Sequence, residues 1–342
     1  IVPCEVGAGS SIKHIIYIIK ENRTYDQILG DLPQGNGDPR LCLFGRKVTP
    51  NHHKIAEEFV LLDNLFCDAE VSVDGHSWSN SAYATDFNEK RWPPQYGGHS
   101  AAVRGPGDTP SSGHLWDLAA TKGLTYRSYG ESAERVSDGS QTYARARVSA
   151  LVGHVAPKYL GNARDTEDLK AFLEEFEAFE KNFASSDPDK RLPNYIVMSL
   201  GEDHTRGTTP GAPTPTAAVA NNDWALGQLV DRVSHSRYWP ETAIFVIEDD
   251  AQSGSDHVDA RRTVGLVVSP YTNRRAVDST MYTTSSMVRT IELLLGLPPM
   301  TQYDAAAMPM YASFAAHADL TPYTHVPPQV DVNAKNGRRA PG

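Results

Sequence analysis

His14-Ile15-Ile16-Tyr17-Ile18-Ile19 is a run of β-branched and aromatic residues without polar alternation, and Lys20-Glu21-Asn22-Arg23-Thr24-Tyr25-Asp26 comes directly after it. A strand that is apolar on both faces belongs inside a sheet covered on both sides. In an open α/β sheet, the residues just past the carboxyl end of such a strand face the ligand crevice. This stretch therefore sets two expectations: a buried central strand, and a site built from the polar residues at its carboxyl end.

Working outward, Tyr195–Leu200, Thr242–Glu248 and Val264–Ser269 read as further buried strands, with Phe59–Leu62 and Leu124–Tyr129 as lesser ones. Helical patterns lie between them at His53–Phe59, Ser79–Asn88, Leu115–Lys122 (closed by Gly123), Thr216–Ser234 and Ser285–Leu295. Leu169, Phe172, Phe176, Phe179 and Phe183 recur at helical spacing and read as a packing face. The alternation predicts an α/β fold with a central, largely parallel sheet and helices on both faces. A single domain is expected over 1–323, with a Gly-, Pro- and Trp-rich surface excursion at 88–112 and an extended tail over 324–342.

Composition removes several function classes. The 342 residues are 40% hydrophobic and 22% charged, which is ample for a packed core. The net charge of −10 offers no footprint for a nucleic-acid backbone, so no nucleic-acid partner is expected. No apolar run approaches the length of a membrane-spanning helix. The chain starts at Ile1 without a signal peptide, which reads as a mature or excised piece of something longer. Cys4, Cys42 and Cys67 form no C-x-x-C pair; a Cys42–Cys67 or a Cys4–Cys42 bridge would each be compatible with an oxidising compartment.

Three of the buried strands deliver polar residues to what should be one edge. Glu21, Asn22 and Asp26 come after the first; Glu202, Asp203 and His204 after the second; Asp249 and Asp250, with Asp256 and His257 shortly beyond, after the third. Carboxylate, carboxamide and imidazole together make a ligand set for a divalent cation, and adjacent acids repel unless something neutralises them. A fourth segment, Val71-Ser72-Val73-Asp74-Gly75-His76-Ser77-Trp78-Ser79-Asn80, reads as a Gly-containing turn that opens a helix with hydroxyls at its N-terminus. That end of a helix suits a phosphoryl group and an activated serine alike.

These motifs carry a family resemblance. Glu21–Asp26 resembles the E-N-R-[ST]-[FY]-D signature of the bacterial phosphoesterases, a family that includes phospholipases C and A-type acid phosphatases on an alkaline-phosphatase-like fold. Asp249-Asp250 with Asp256-His257-Val258 is similar to the family's acidic segment, and Gly265–Tyr271 to its strand-then-S-P-[YW] segment. The phosphoesterase domains fused to β-propellers look nearest, so an N-terminal propeller partner outside this chain is expected.

The resemblance implies a metal-dependent phosphoric ester hydrolase, phosphomonoesterase or phospholipase C-like, working through a phosphoseryl intermediate on a small phosphate ester. It assigns Glu21, Asn22, Asp249, Asp250 and Asp256 to a divalent cation (Ca, Mg, Mn or Zn). It offers Ser77 or Ser79 as the nucleophile, with His204 or His257 protonating the leaving group. Choosing Ser77 brings Asn80, three residues on, to the substrate; His76, beside the nucleophile turn, is a candidate substrate contact by position, and Arg261 either clamps a phosphate oxygen or pairs with Asp259. An extracellular or periplasmic location goes with the resemblance. Two departures stand out: Tyr282-Thr283-Thr284-Ser285-Ser286 lacks the histidine of the phospholipases, and Arg261 replaces a frequent histidine. Neither Cys42 nor Cys67 heads the C-x-[PA]-x-R nucleophile motif of a sulfatase. The alternative is a catalytically silent secreted or envelope binding module on the same fold.

Overall fold

The computed structural model describes residues 1–96, 107–161, 164–252 and 254–337. Its main sheet has seven strands: β1 (His14–Lys20), β2 (Val60–Leu62), β3 (Tyr126–Tyr129), β4 (Tyr195–Ser199), β5 (Thr242–Glu248), β6 (Gly265–Val268) and β7 (Ala276–Asp278). Their order is β7-β2-β6-β5-β1-β4-β3. As its sequence predicts, β1 lies at the heart of the sheet. It pairs in parallel with β4, Ile16 opposite Ile196, and with β5, Ile16 opposite Ile244. Strand β3 extends the parallel set beyond β4, whereas β6 runs antiparallel to both β5 and β2. The fold is thus α/β with a mostly parallel sheet.

The period-two geometry of a strand divides the apolar residues between two layers. Ile16, Ile18, Ile196, Met198, Ile244 and Val246 face helices Asp165–Lys181 and Pro215–Ser234. In that layer Leu169, Phe172 and Phe176 are buried, and Phe179 and Phe183 pack at its margin. Ile15, Tyr17, Ile19, Val197, Phe245 and Ile247 face helices Leu115–Thr121 and Thr284–Leu295. A large-to-small substitution in either layer would cost about 2–5 kcal/mol.

The expected surface excursion at 88–112 is described only in part. Its first part belongs to the helix Asp86–Tyr96, and 97–106 lie outside the described residues. Over 324–337 the chain has no helix or ladder strand and is held down: Asn51 Oδ1 accepts from the Tyr323 hydroxyl (2.8 Å) and from Val326 N (2.7 Å), and Arg164 donates to Val332 O (2.6 Å). All three cysteines are free thiols, so neither bridge forms.

Candidate active site

The three acid-bearing strand ends are tied together beneath the surface. Lys20 Nζ, at the end of β1, sits 2.7 Å from Asp203 and 2.7 Å from Glu248, and all three side chains are buried. Burial alone would pull the lysine pKa down; the two carboxylates outweigh it and keep the ammonium charged. A buried charge triad is weak evidence for stability but fixes the relative height of three loops. Arg23 adds to this by donating to Asp203 O at 2.6 and 2.9 Å.

Above the triad the chain turns sharply. Asn22 has φ +68°, a left-handed conformation that asparagine tolerates better than most residues. The turn points the amide oxygen of Asn22 at acids: it lies 3.2 Å from Asp249 Oδ1, 3.2 Å from each oxygen of Asp250, and 3.1 Å from Ser72 Oγ. Carboxylate oxygens only accept. Either the amide turns over and donates, or its oxygen joins theirs around a cation. Asp249 Oδ2 is buried with no hydrogen-bond partner. Burial pushes the Asp249 carboxyl well above its ordinary range; His76 draws it back, and Asp250 and Glu21 push it up further. An orphaned carboxylate oxygen and converging oxygen donors fit a hard divalent cation, with Asn22, Asp249 and Asp250 around it and Glu21 beside them.

The helix Ser72–Ser81 carries its first residue into this cluster. Asp74 accepts from Val71 N (3.0 Å) and Glu70 N (3.1 Å), fixing the start of the helix. A Cβ on Gly75 would lie 2.7 Å from Asp249 O, so only glycine lets the helix approach this closely. The result is that Ser72 Oγ donates to Asp250 Oδ2 at 3.0 Å. The hydroxyl brought to the acidic cluster is therefore Ser72, and not Ser77 or Ser79. The turn expected around Gly75 is already helical, so the N-terminus falls five residues before Ser77. Ser77 lines the cleft further along, accepting from Asn88 Nδ2 at 3.0 Å. Ser79 is fully buried, its Oγ without a partner.

One turn after Ser72, His76 places Nε2 3.6 Å from Glu21 Oε1 and 3.7 Å from Asp249 Oδ2, so segments more than two hundred positions apart border one space. Burial opposes a charge on this imidazole, but Glu131, then Glu21 and Asp249, hold it well above its ordinary value. Asn80, a turn further on, also reaches the cleft wall. The cleft has a volume of about 630 Å³ and is lined by Glu21, Ser72 and His76 and, from the hairpin Ala133–Ser137/Thr142–Ala146, by Arg135. His204 is exposed and lines a neighbouring hollow with Arg164 and Arg206, its Nε2 4.0 Å from Glu21 Oε2. The next residue, Thr205, holds φ +60°, an unfavourable value for a β-branched side chain. Strained backbone at Asn22 and Thr205 brackets Glu21, as is common where geometry serves chemistry.

Asp256, His257 and Arg261 are not brought to this cluster. Ligand atoms of Asp26, Asp256 and His257 do gather within 4.8 Å of one another, a spacing that could hold a cation. The fully buried Arg262 already supplies one: it donates to Asp26 Oδ1 and Asp256 Oδ1, both at 2.9 Å, with its guanidinium over the Tyr25 ring. His257 Nδ1 sits 2.6 Å from Asp26 Oδ2, and its Nε2 3.3 Å from Asn36 Oδ1. Arg261 is exposed beside Asp259 and Glu70. None of the three lines the cleft. Sequence reading missed Ser72 and Glu131. A serine beside the Asp74 cap was a usable signal for the first; nothing local pointed to the second.

Comparison with known proteins places this geometry in a family. The model of the Phosphoesterase family matches residues 36–298. The chain belongs to the Phosphoesterase family. The matched span takes in Ser72, His76, Asp249 and Asp250, while Glu21 and Asn22 precede it. Membership makes the chain a hydrolase acting on phosphoric ester bonds. No curated protein sequence matches it. Among solved structures it is similar to a protein in the alkaline phosphatase superfamily from Vibrio parahaemolyticus (16% identity, 88% of this chain and 71% of that one, TM-score 0.56). It is also similar to the lipoteichoic acid synthase LtaP from Listeria monocytogenes (12% identity, 90% and 76% covered, TM-score 0.48) and to the C-terminal periplasmic domain of EcEptC from Escherichia coli (13% identity, 87% of each chain, TM-score 0.48). At such identities the likeness concerns the fold, and the Vibrio protein supports the alkaline-phosphatase-like α/β architecture. These matches say nothing of a propeller partner.

Proposed function

We propose that this phosphoesterase hydrolyses phosphoric esters with Ser72 as its nucleophile, at a divalent-cation site formed by Asn22, Asp249 and Asp250 with Glu21. The single observation that carries the reading is the Ser72 hydroxyl at a helix N-terminus, 3.0 Å from Asp250 and 3.1 Å from Asn22. A bound cation would lower the charge repulsion at the incoming phosphoryl group and favour the alkoxide form of the serine.

The chain's own groups account for the rest. Ser72 Oγ forms a bond to phosphorus as the ester oxygen leaves on the opposite side, and Asp250 Oδ2 lies where the hydroxyl proton departs. The free N–H groups of the first helical turn, and Nε2 of His76, face the phosphoryl oxygens. Protonation of the leaving oxygen is assigned to His204, on the support of its exposed imidazole 4.0 Å from Glu21. Water then attacks the phosphoserine and restores the hydroxyl. Phosphoric rather than sulfuric esters fit a serine at this position and the lack of a cysteine-headed sulfatase motif. Asn80, Asn88 and Arg135 on the cleft wall favour a soluble, polar ester over a lipid tail.

The test is turnover of p-nitrophenyl phosphate and of its bis-ester with Mg, Mn, Ca or Zn supplied. Ser72→Ala should lower kcat by about 10³-fold or more, while Ser77→Ala and Ser79→Ala keep most of it. Full activity in Ser72→Ala would overturn the assignment. The family resemblance further suggests a bacterial enzyme working outside the cytoplasm, which fractionation of the source cells would check.

A further inference from the structure

We infer that Glu131 is a positioning residue of this site, acting through His76; the inference rests on the reading of the Ser72 cleft given above. Glu131 comes after β3 in the turn Gly130-Glu131-Ser132, and its carboxylate is almost wholly buried. The turn is held from both sides. The buried Ser128 hydroxyl donates to Glu131 O at 2.5 Å, Arg147 N donates to Ser132 O at 2.8 Å, and Ser132 itself adopts φ +48°.

From this fixed point the carboxylate reaches the nucleophile helix at two places one turn apart. Oε2 lies 3.1 Å from His76 Nδ1, and Oε1 accepts from Asn80 Nδ2 at 3.0 Å. A carboxylate can only accept, so Nδ1 of His76 carries a proton, and Nε2 is the atom presented to the space between Glu21 and Asp249. The Asn80 contact stops the carboxylate from rotating away, and Asn80 Nδ2 also donates to His76 O at 2.8 Å. Ring orientation and the proton on Nδ1 are thus both set from the turn after β3. An outer carboxylate orienting an imidazole in this way typically matters by about 10–100-fold in activity or metal affinity.

Glutamine at position 131 cannot reproduce the arrangement. Its single carbonyl oxygen takes the place of only one of the two carboxylate oxygens, so its NH2 end is left facing a second donor, either His76 Nδ1 or Asn80 Nδ2. The test is a double-mutant cycle on kcat for p-nitrophenyl phosphate at saturating divalent cation, using Glu131→Gln and His76→Ala. If Glu131 acts through His76, Glu131→Gln alone lowers kcat by about 10–100-fold, and in the His76→Ala background it changes kcat by less than about threefold. An equal loss in both backgrounds, or no loss in the single variant, would overturn the inference. Should the variants misfold, the wild-type enzyme with its cation bound provides a second reading. Its nitrogen-15 histidine spectrum should show His76 protonated at Nδ1, and an Nε2-only proton would count against the role. Retained turnover in Ser72→Ala would instead refute the nucleophile assignment and leave the cycle interpretable on its own.

Discussion

At the scale of single residues, the site separates side chains that looked equivalent in the sequence. His204 and His257 each come after an acid and a buried strand, yet one stands exposed beside Glu21 and the other is paired with Asp26. His204→Ala should reduce kcat by about 10²–10⁴-fold for an ester with a poor leaving group and much less for p-nitrophenyl phosphate, whose leaving oxygen needs little protonation. His257→Ala should leave both rates nearly intact and lower the melting temperature instead, because it strips a partner from the buried Asp26. Equal kinetic losses for the two variants would reverse the assignment. Glu21, Asn22, Asp249 and Asp250 were legible because each sits within two residues of a buried strand end. Asp256 lies six residues beyond Asp250 in a loop that runs back to the start of helix Tyr25–Leu29, where Arg262 receives it.

At the scale of elements, the helix Ser72–Ser81 does its work through its contact with the loop after β5. Gly75→Ala should be favourable for an isolated helix by about 1 kcal/mol. Here the added methyl would press on the Asp249 carbonyl at 2.7 Å, so the expected outcome is lost turnover with helical circular dichroism preserved. Unchanged activity would show that the close approach is dispensable. A second pair of elements predicts a pH effect. Glu292, in helix Thr284–Leu295, is buried facing Asp304 of helix Gln302–Ala306. Burial, and then the Asp304 carboxyl, push Glu292 up to about 10. An acid whose folded pKa is raised contributes stability that is complete below its unfolded value near 4.5 and is lost as pH climbs toward 10. Melting temperature should therefore fall from neutral pH to pH 10, and Glu292→Gln, which mimics the protonated carboxyl, should flatten that fall. An unchanged alkaline slope in the variant would contradict it.

For the whole molecule, the sheet brings acids from β1 and β5 to one edge at an electrostatic cost that a cation would relieve. A divalent cation at a hundred times its dissociation constant should stabilise the folded chain by about 2.7 kcal/mol, read as a rise in melting temperature that a chelator reverses. Asp250→Asn should blunt that rise. A wild-type melting curve indifferent to Mg, Mn, Ca and Zn would argue against the cation site. Architecture and cation site meet here because parallel strands put every carboxyl end on the same side.

What the sequence determined by itself was the sheet and its loaded edge. Ile15–Ile19, Tyr195–Leu200 and Thr242–Glu248 announce buried strands through local composition, and the acids just past them are fixed by covalent adjacency. Tertiary structure alone decided which serine meets those acids, why Asp256 and His257 do not, and that Glu131 reaches across to His76. Each depends on where a helix begins, on which cation reaches a carboxylate first, or on a contact between residues more than fifty positions apart, and none of these is encoded in a local pattern.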